Sequence, residues 1–392
     1  MTLKKICRRL FGSLLCISCM GGNTHLSFAE DKQIKDDVSI KAMIEQMDLR
    51  QKVGQLFVVL PDSIDPSKTN EQVNNPWGEG TTGITVPMES TLRDYPVGGI
   101  AFLRKNIENE AQISNFIASL QEASRIPLFM AVDEEGGRVA RLSNHKEFHL
   151  PKYESPGAVG KSKKPEDALN MGTTIGAYLK NYGFNVDFAP VADVNTNPNN
   201  PIIGTRAFSP DAKVATEMSY AMATGLKENN IIPVYKHFPG HGDTKEDSHL
   251  GLAVNHKTVD EMLACEWLPY RKLTNLECVM MAHVAAPKVT GDLTPATMSS
   301  TIVNILRKQL HFNGVIITDA LNMGAITEYY GSGPAAVIAL KAGCDILLMP
   351  YDLKESFSAV LAAVESGEIS EARLNESLYK ILELKKIYGI IH

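Results

Sequence analysis

The chain has 392 residues, 44% hydrophobic and 21% charged, an ordinary balance for a globular protein with a buried core and one that excludes extended disorder. Its formal charge of −6 argues against nucleic acid as a partner. The length exceeds the usual ~100–200 residues per domain, but α/β barrels take about 250 residues or more as one unit, so one barrel competes evenly with two domains.

The first segment reads as a leader. Lys4, Lys5, Arg8 and Arg9 precede the apolar run Leu10 to Met20, and Ser27-Phe28-Ala29 offers small residues ahead of the acidic Glu30-Asp31. This is the layout of a secretory signal peptide spanning 1–29, cleaved after Ala29, with the mature chain at 30–392. A lipid anchor at Cys19 is the disfavoured alternative, because Cys16-Ile17-Ser18 lacks the leading leucine of such a site. Cleavage removes four of the 39 basic residues and none of the 45 acidic ones, moving the formal charge from −6 to −10. No later stretch approaches the ~20 apolar residues that span a bilayer, so a mature chain without a transmembrane segment is expected, exported to the periplasm or the exterior. Three cysteines fall in the leader. Cys265, Cys278 and Cys344 are too few and too widely spaced for a disulfide framework or a zinc pattern, and read as buried small side chains, one bridge being the alternative.

After a polar stretch, Ile40–Gln51 reads as a helix. Eight short apolar runs then follow at fairly regular spacing: Val53–Leu60, Val97–Leu103, Pro127–Val132, Phe184–Val191, Ile232–Tyr235, Cys278–His283, Gly314–Thr318 and Asp345–Met349. Each is too short and too uniformly apolar for a strand with one wet face, as in a parallel sheet covered on both sides. Helical patterns separate most of them: Ala111–Ala123, Pro165–Asn181, Ala212–Asn229, Thr258–Lys272, Thr301–Gln309, Gly333–Lys341 and Leu353–Ser366, closed by Glu371–Tyr388. Eightfold strand–helix alternation predicts an α/β fold of the (β/α)8 TIM-barrel type in a single domain, with a doubly wound open sheet as the structural alternative. The stretch Pro61–Tyr95, rich in Pro, Gly, Thr and Asn, is long for a connection and is expected to frame the cleft.

Polar residues cluster after the strands. Asp133, Asp193, Lys236-His237, His283 and Asp319 all fall at carboxyl ends, which converge on one mouth in a barrel. One such Asp alone reads as a helix cap; several together point to a site. The densest segment is Lys236-His237-Phe238-Pro239-Gly240-His241-Gly242-Asp243-Thr244-Lys245-Glu246-Asp247-Ser248-His249. Pro239-Gly240 between His237 and His241 prevents the two imidazoles from sharing a helix face, so no metal site is expected.

These segments resemble the family 3 glycoside hydrolases, in particular the single-barrel β-N-acetylglucosaminidases. Lys236–His249 is similar to the K-H-F-P-G-H-G…D-S-H signature, and Asp133-Glu134-Glu135-Gly136-Gly137-Arg138-Val139-Ala140-Arg141 to D-x-E-G-G-R-V-x-R. Gly204-Thr205-Arg206-Ala207-Phe208 is similar to G-x-R-x-F, and Thr318-Asp319-Ala320-Leu321 to the nucleophile strand. The likeness runs from about residue 40 to 390. Some relatives carry a second α/β/α domain where this chain has only its last helix, so the site is expected to be complete in one domain or assisted by a flexible loop.

The resemblance implies a retaining exo-β-N-acetylglucosaminidase without cofactor, acting on glycans that end in N-acetylglucosamine, peptidoglycan fragments among them. It assigns Asp319 as nucleophile and His249 as acid/base, tuned by Asp247, and it makes Asp133, Arg141, Arg206, Lys236 and His237 the residues that grip sugar hydroxyls. Lys236, Arg141 and Arg206 are expected to hold the Asp319 carboxylate ionised. His241 and Asp243 read as loop-shaping groups, Asp193 as support, His283 as a satisfied core histidine and Trp77 as a ring available to stack on a sugar. Read as an ordinary surface residue, Arg206 would pair with Asp193 or Asp211. The alternatives are a family 3 β-glucosidase or β-xylosidase, disfavoured by the Asp247-Ser248-His249 triplet, an N-acetylglucosaminide phosphorylase, and a non-catalytic glycan-binding protein.

Overall fold

The structure, a computed structural model, describes residues 39–246 and 251–392. The proposed leader, with Cys19, lies outside the described residues, as do Asp247 and His249. Residues 39–46 form a helix considered by itself, and Met47–His392 form the second compact unit. The single helix expected over Ile40–Gln51 is instead two. Asp48 Oδ1 accepts from Gln51 N at 2.8 Å while Gln51 Oε1 accepts from Asp48 N at 3.1 Å, so a capping box starts a new helix, Leu49–Gly54.

Eight parallel strands make the barrel: β1 (Phe57–Val59), β2 (Gly99–Phe102), β3 (Phe129–Val132), β4 (Val186–Asp187), β5 (Ile232–Phe238), β6 (Cys278–Met281), β7 (Val315–Thr318) and β8 (Leu347–Leu348). They pair in the order β7-β6-β5-β4-β3-β2-β1-β8, and a parallel bridge between Ile317 and Ile346 joins the last two into a closed ring. Val58, Phe129, Ala131, Val186, Ile232, Val234, Ile317 and Ile346 fill the interior, leaving about 20 Å3, room for roughly one water. Below its mouth the barrel is therefore solid, as the uniformly apolar strand runs require.

Several boundaries moved for local reasons. Val53 and Gly54 belong to the capped helix, which shortens β1. β4 stops at Asp187 and the ladder resumes only at a Val191–Lys236 bridge, because Pro190 between them has no N–H to offer. Lys236 and His237 lie within β5 instead of after it. The helix expected over Thr258–Lys272 ends at Ala264 and gives way to a 3-10 turn, Leu268–Tyr270, around Pro269. Thr301–Gln309 is an α-turn, Ser300–Asn304, followed by a π-helical turn, Ile305–Gln309. The long stretch Pro61–Tyr95 contains a 3-10 turn, Pro61–Ile64, and two helices, Asn70–Asn74 and Val86–Asp94. It is fastened by the buried Asp62 carboxylate, which accepts from Thr81 N (3.2 Å) and Asn106 Nδ2 (2.7 Å) and pairs with Lys105 Nζ at 3.3 Å. The three cysteines outside the leader are unbridged. Among the described residues no helix is long and apolar enough to cross a membrane.

Buried polar side chains tie the barrel to the final helix. Asp345, buried at the start of β8, accepts from Ile316 N (2.9 Å), Arg307 (2.5 Å) and Ser377 Oγ (2.7 Å), stitching the β7–β8 seam to the final helix, Glu371–Ile387. On the same helix Lys385 is buried without a carboxylate partner: Nζ donates to Gln55 Oε1 (2.9 Å) and Pro127 O (2.7 Å) and sits 4.8 Å from the centre of the Phe129 ring. Burial pushes its ammonium down to about 7. An unfolded lysine titrates near ~10.4, so between the two values the unfolded chain holds a proton the folded chain has shed. The group's contribution to stability is full above that range and lost as the pH falls through about 7. Denaturant unfolding at pH 7, 8 and 9 should show wild type gaining on Lys385→Met as the pH rises; parallel curves would contradict this.

Candidate active site

The carboxyl ends of the strands open onto a cavity of about 530 Å3, within the range of small-molecule sites. Asp133, Arg141, Arg206, Lys236, His237 and Asp319, the described members of the expected site, all line it. Asn74, Arg138, His241 and Asn322 share the wall with apolar residues such as Leu60, Leu103 and Met349. The stretch Pro61–Tyr95 does frame the cleft, through Val73, Asn74 and Pro76, and Asn322 Nδ2 donates to Asn74 Oδ1 at 2.9 Å to lock that wall to the segment after β7.

Asp133 leaves the end of β3, and the chain folds straight back in a hairpin, Glu134–Gly136 against Val139–Ala140. Gly136 and Gly137 both have positive φ, 83° and 64°. A Cβ on Gly137 would fall 2.9 Å from Glu154 O, so only glycine fits the turn. Glu134 holds the return arm from inside: its carboxylate accepts from the amides of Arg141 (2.7 Å), Leu142 (2.9 Å) and Ser143 (2.9 Å) and from Tyr178 Oη (2.9 Å). That places Arg141 where its guanidinium donates to Asp133 Oδ2 at 3.0 Å.

The cations at the mouth form one buried network. Lys236 Nζ contacts Asp133 Oδ1 at 2.8 Å and Glu135 Oε1 at 2.6 Å. Arg206 grips Glu135 with two parallel bonds, Nε to Oε2 at 2.8 Å and an amino nitrogen to Oε1 at 2.7 Å. Its partner is thus Glu135, not Asp193 or Asp211; Asp211 caps the helix Ala212–Glu228. Burial works against both carboxylates, but Lys236 and then Arg141 hold Asp133 well below the usual range, and Arg206 and then Lys236 lower Glu135. Burial likewise opposes the Lys236 ammonium, and the two carboxylates more than restore it.

His237 extends the network. Its Nδ1 lies 2.7 Å from Asp193 Oδ2, and its Nε2 lies 3.5 Å from Arg206. Asp193, kept ionised by His237 against its burial, also accepts from His241 N at 2.6 Å, so one carboxylate fixes both imidazole-bearing positions. Because an ionised carboxylate only accepts, the His237 ring donates to it from Nδ1. His241 is pushed down to about 4, by burial first and by the neighbouring His237 ring second, against the pull of Asp193 and Asp319. The peptide joining Lys236 to His237 is cis.

Asp319 continues β7. Its amide donates to Met281 O (2.9 Å), and its Oδ1 accepts from Ala320 N (2.8 Å). The three cations expected to hold it ionised line the same cavity and pair directly with Asp133 and Glu135. His283 is a satisfied core residue, with Thr297 Oγ1 at 2.8 Å and Ala320 O at 2.9 Å. Trp77 is 88% exposed and is not part of the wall, whereas Trp267 is buried and donates to Pro239 O. Sequence reasoning gave Glu135 no role, although it is the third residue of the Asp133 motif and the counter-ion of two predicted site residues. Asp187 was missed as well; burial, and then the Glu134 carboxylate, push its carboxyl well above the usual range.

The fold and the site together place paired carboxylates and forked cations at the carboxyl-end mouth of a (β/α)8 barrel, the face on which barrel enzymes carry their active sites. The chain belongs to glycosyl hydrolase family 3: residues 48–384 match the N-terminal domain of that family. It is 34% identical over 331 residues to the beta-hexosaminidase A of Pseudoalteromonas piscicida, covering 77% of this chain and 55% of that protein. It is 32% identical to a beta-hexosaminidase of Nitrosomonas eutropha, covering 75% and 87%. A solved glycoside hydrolase family 3 beta-N-acetylglucosaminidase from Paenibacillus sp. str. FPU-7 is similar in structure, with a TM-score of 0.79 and 34% identity, over 88% of this chain and 63% of that one. The chain thus spans little more than half the length of the Pseudoalteromonas protein and under two thirds of the Paenibacillus one.

The network makes a stability prediction. Arg206→Met leaves the buried Glu135 with Lys236 alone, and breaking such a pair from one side should cost about 3–5 kcal/mol. Adding Glu135→Gln should recover much of the loss. If denaturant unfolding finds the double variant worse than the single by the full effect of Glu135→Gln alone, the two side chains are not coupled.

Proposed function

We propose that the protein is a retaining exo-β-N-acetylglucosaminidase. The observation that carries the reading is the placement of Asp319 at the end of β7 on the same cavity as the Asp133, Arg141, Arg206, Lys236 and His237 set. The names of the relatives supply the sugar. In this reading the charged set takes the hydroxyls of a terminal N-acetylglucosamine, exchanging water for charge-assisted hydrogen bonds. Asp319 attacks the anomeric carbon as carboxylate; the bond to the leaving oxygen breaks as His249 protonates it, giving a covalent glycosyl-enzyme intermediate. His249, now the base, deprotonates the water that displaces Asp319 and releases the sugar. Asp247, two residues from His249, orients and charge-tunes the imidazole. Peptidoglycan fragments fit as a substrate source, reached after export directed by residues 1–29.

The test is release of 4-nitrophenol from its β-N-acetylglucosaminide and its β-glucoside, with and without phosphate, by the wild type and Asp319→Ala. Turnover of the acetamido sugar alone, reduced in the variant by on the order of 10³-fold or more, supports the reading. Phosphate-dependent product would redirect it to phosphorolysis, cleavage of the glucoside alone would overturn the substrate, and silence on both would favour a glycan-binding role. The rate should peak near neutral pH, where an imidazole acid and a carboxylate nucleophile coexist; a rate still climbing below pH ~4 would argue against His249.

A further inference from the structure

Behind the loop that β5 sends into the mouth lies a cluster the proposed chemistry does not use. Lys257 Nζ is in short contact with the Glu266 carboxylate, donates to Thr196 Oγ1 at 3.1 Å and lies 3.6 Å from Asp243 Oδ1. Thr196 Oγ1 in turn donates to that same Asp243 oxygen at 2.8 Å. Glu266 is fully buried and packs against Gly240, whose φ is 126° and on which a Cβ would meet Glu266 Cγ at 2.5 Å. The next residue, Trp267, donates its indole N–H to Pro239 O at 3.0 Å. The returning chain is pinned at the same place: Asn255 donates from Nδ2 to Gly240 O (3.2 Å) and from its amide to Ala285 O (2.9 Å), and its Oδ1 accepts from Lys257 N (3.0 Å).

The departing arm, Gly240 to Asp243, and the returning arm, Asn255 to Lys257, are therefore held to one another and to a buried acid. Between them in sequence lie Asp247 and His249. We infer that Lys257 is a positioning residue for proton transfer: by binding Asp243, Thr196 and Glu266 at once, it fixes where the segment bearing the acid/base begins and ends. The inference rests on the reading that His249 is that acid/base. Fixed ends restrict the conformations open to a short loop, and small displacements of an acid from its leaving oxygen are costly to catalysis.

Leaving-group dependence tests this on the full chain. kcat/KM reports formation of the glycosyl-enzyme, which needs a proton donor for phenyl β-N-acetylglucosaminide but hardly for the 2,4-dinitrophenyl compound. Lys257→Met should lower kcat/KM on the phenyl substrate by ~10-fold or more and leave the dinitrophenyl substrate within about 3-fold, since a well-placed general acid contributes 10²–10⁴-fold. Asp243→Asn, which spares the buried Lys257–Glu266 pair and so guards against a misfolded variant, should show the same split to a smaller degree, and Lys257→Arg should restore part of the loss. His249→Ala is the reference. If it splits the two substrates and the Lys257 and Asp243 variants do not, whether both substrates fall together or neither falls, the positioning role is overturned while the acid/base reading stands. If His249→Ala shows no split, the acid/base reading falls and the role of Lys257 with it.

Discussion

Charge buried at the mouth of the barrel must be paired or fully hydrogen-bonded, and that constraint organises the groups around the cavity. Asp133 and Glu135 leave one strand end two residues apart, Glu135 fully buried and Asp133 largely so. Neither would remain ionised there alone. Lys236 bridges the two, Arg206 closes on Glu135 with a fork, and Arg141 comes back to Asp133 from the far end of a hairpin. Each partner arrives from a different element, so the network also fixes β3, the hairpin after it, the turn at Arg206 and β5 relative to one another.

The cations are paired with Asp133 and Glu135, which sets the directions in which they donate. Asp319 reaches the same cavity from β7, with its backbone tied to β6. Supporting residues follow the same logic at one remove. Glu134 spends its carboxylate on three consecutive amides so that Arg141 can face Asp133, and Asp193 spends its own on the positions of His237 and His241.

Much of this was legible from residue order. Eight short apolar runs with polar residues at their carboxyl ends dictate a barrel and its active face, because a strand covered on both sides has no period to show and only its end can carry a charge. Departures came where a local rule outran the pattern: the Asp48 capping box split a helix, Pro190 cut a strand short, and Pro269 ended a helix early. Lys236, Arg141 and Arg206 line the same cavity as Asp319, but residue order did not say that their direct counter-ions are Asp133 and Glu135.

The sequence by itself pointed to the fold, to the face on which a site must lie and to Asp133, Lys236, His237 and Asp319 at strand ends, because these depend on hydrophobic patterning and on residue types at strand ends, whereas Arg141 and Arg206 were reached only through the family resemblance. Tertiary structure alone decided the pairing. Glu135 is 71 residues from Arg206, and Lys257 reaches Asp243 and Thr196 across separate elements. Contacts of that kind depend on how far β3, β4 and β5 stand from one another in the closed ring, a distance no local spacing encodes.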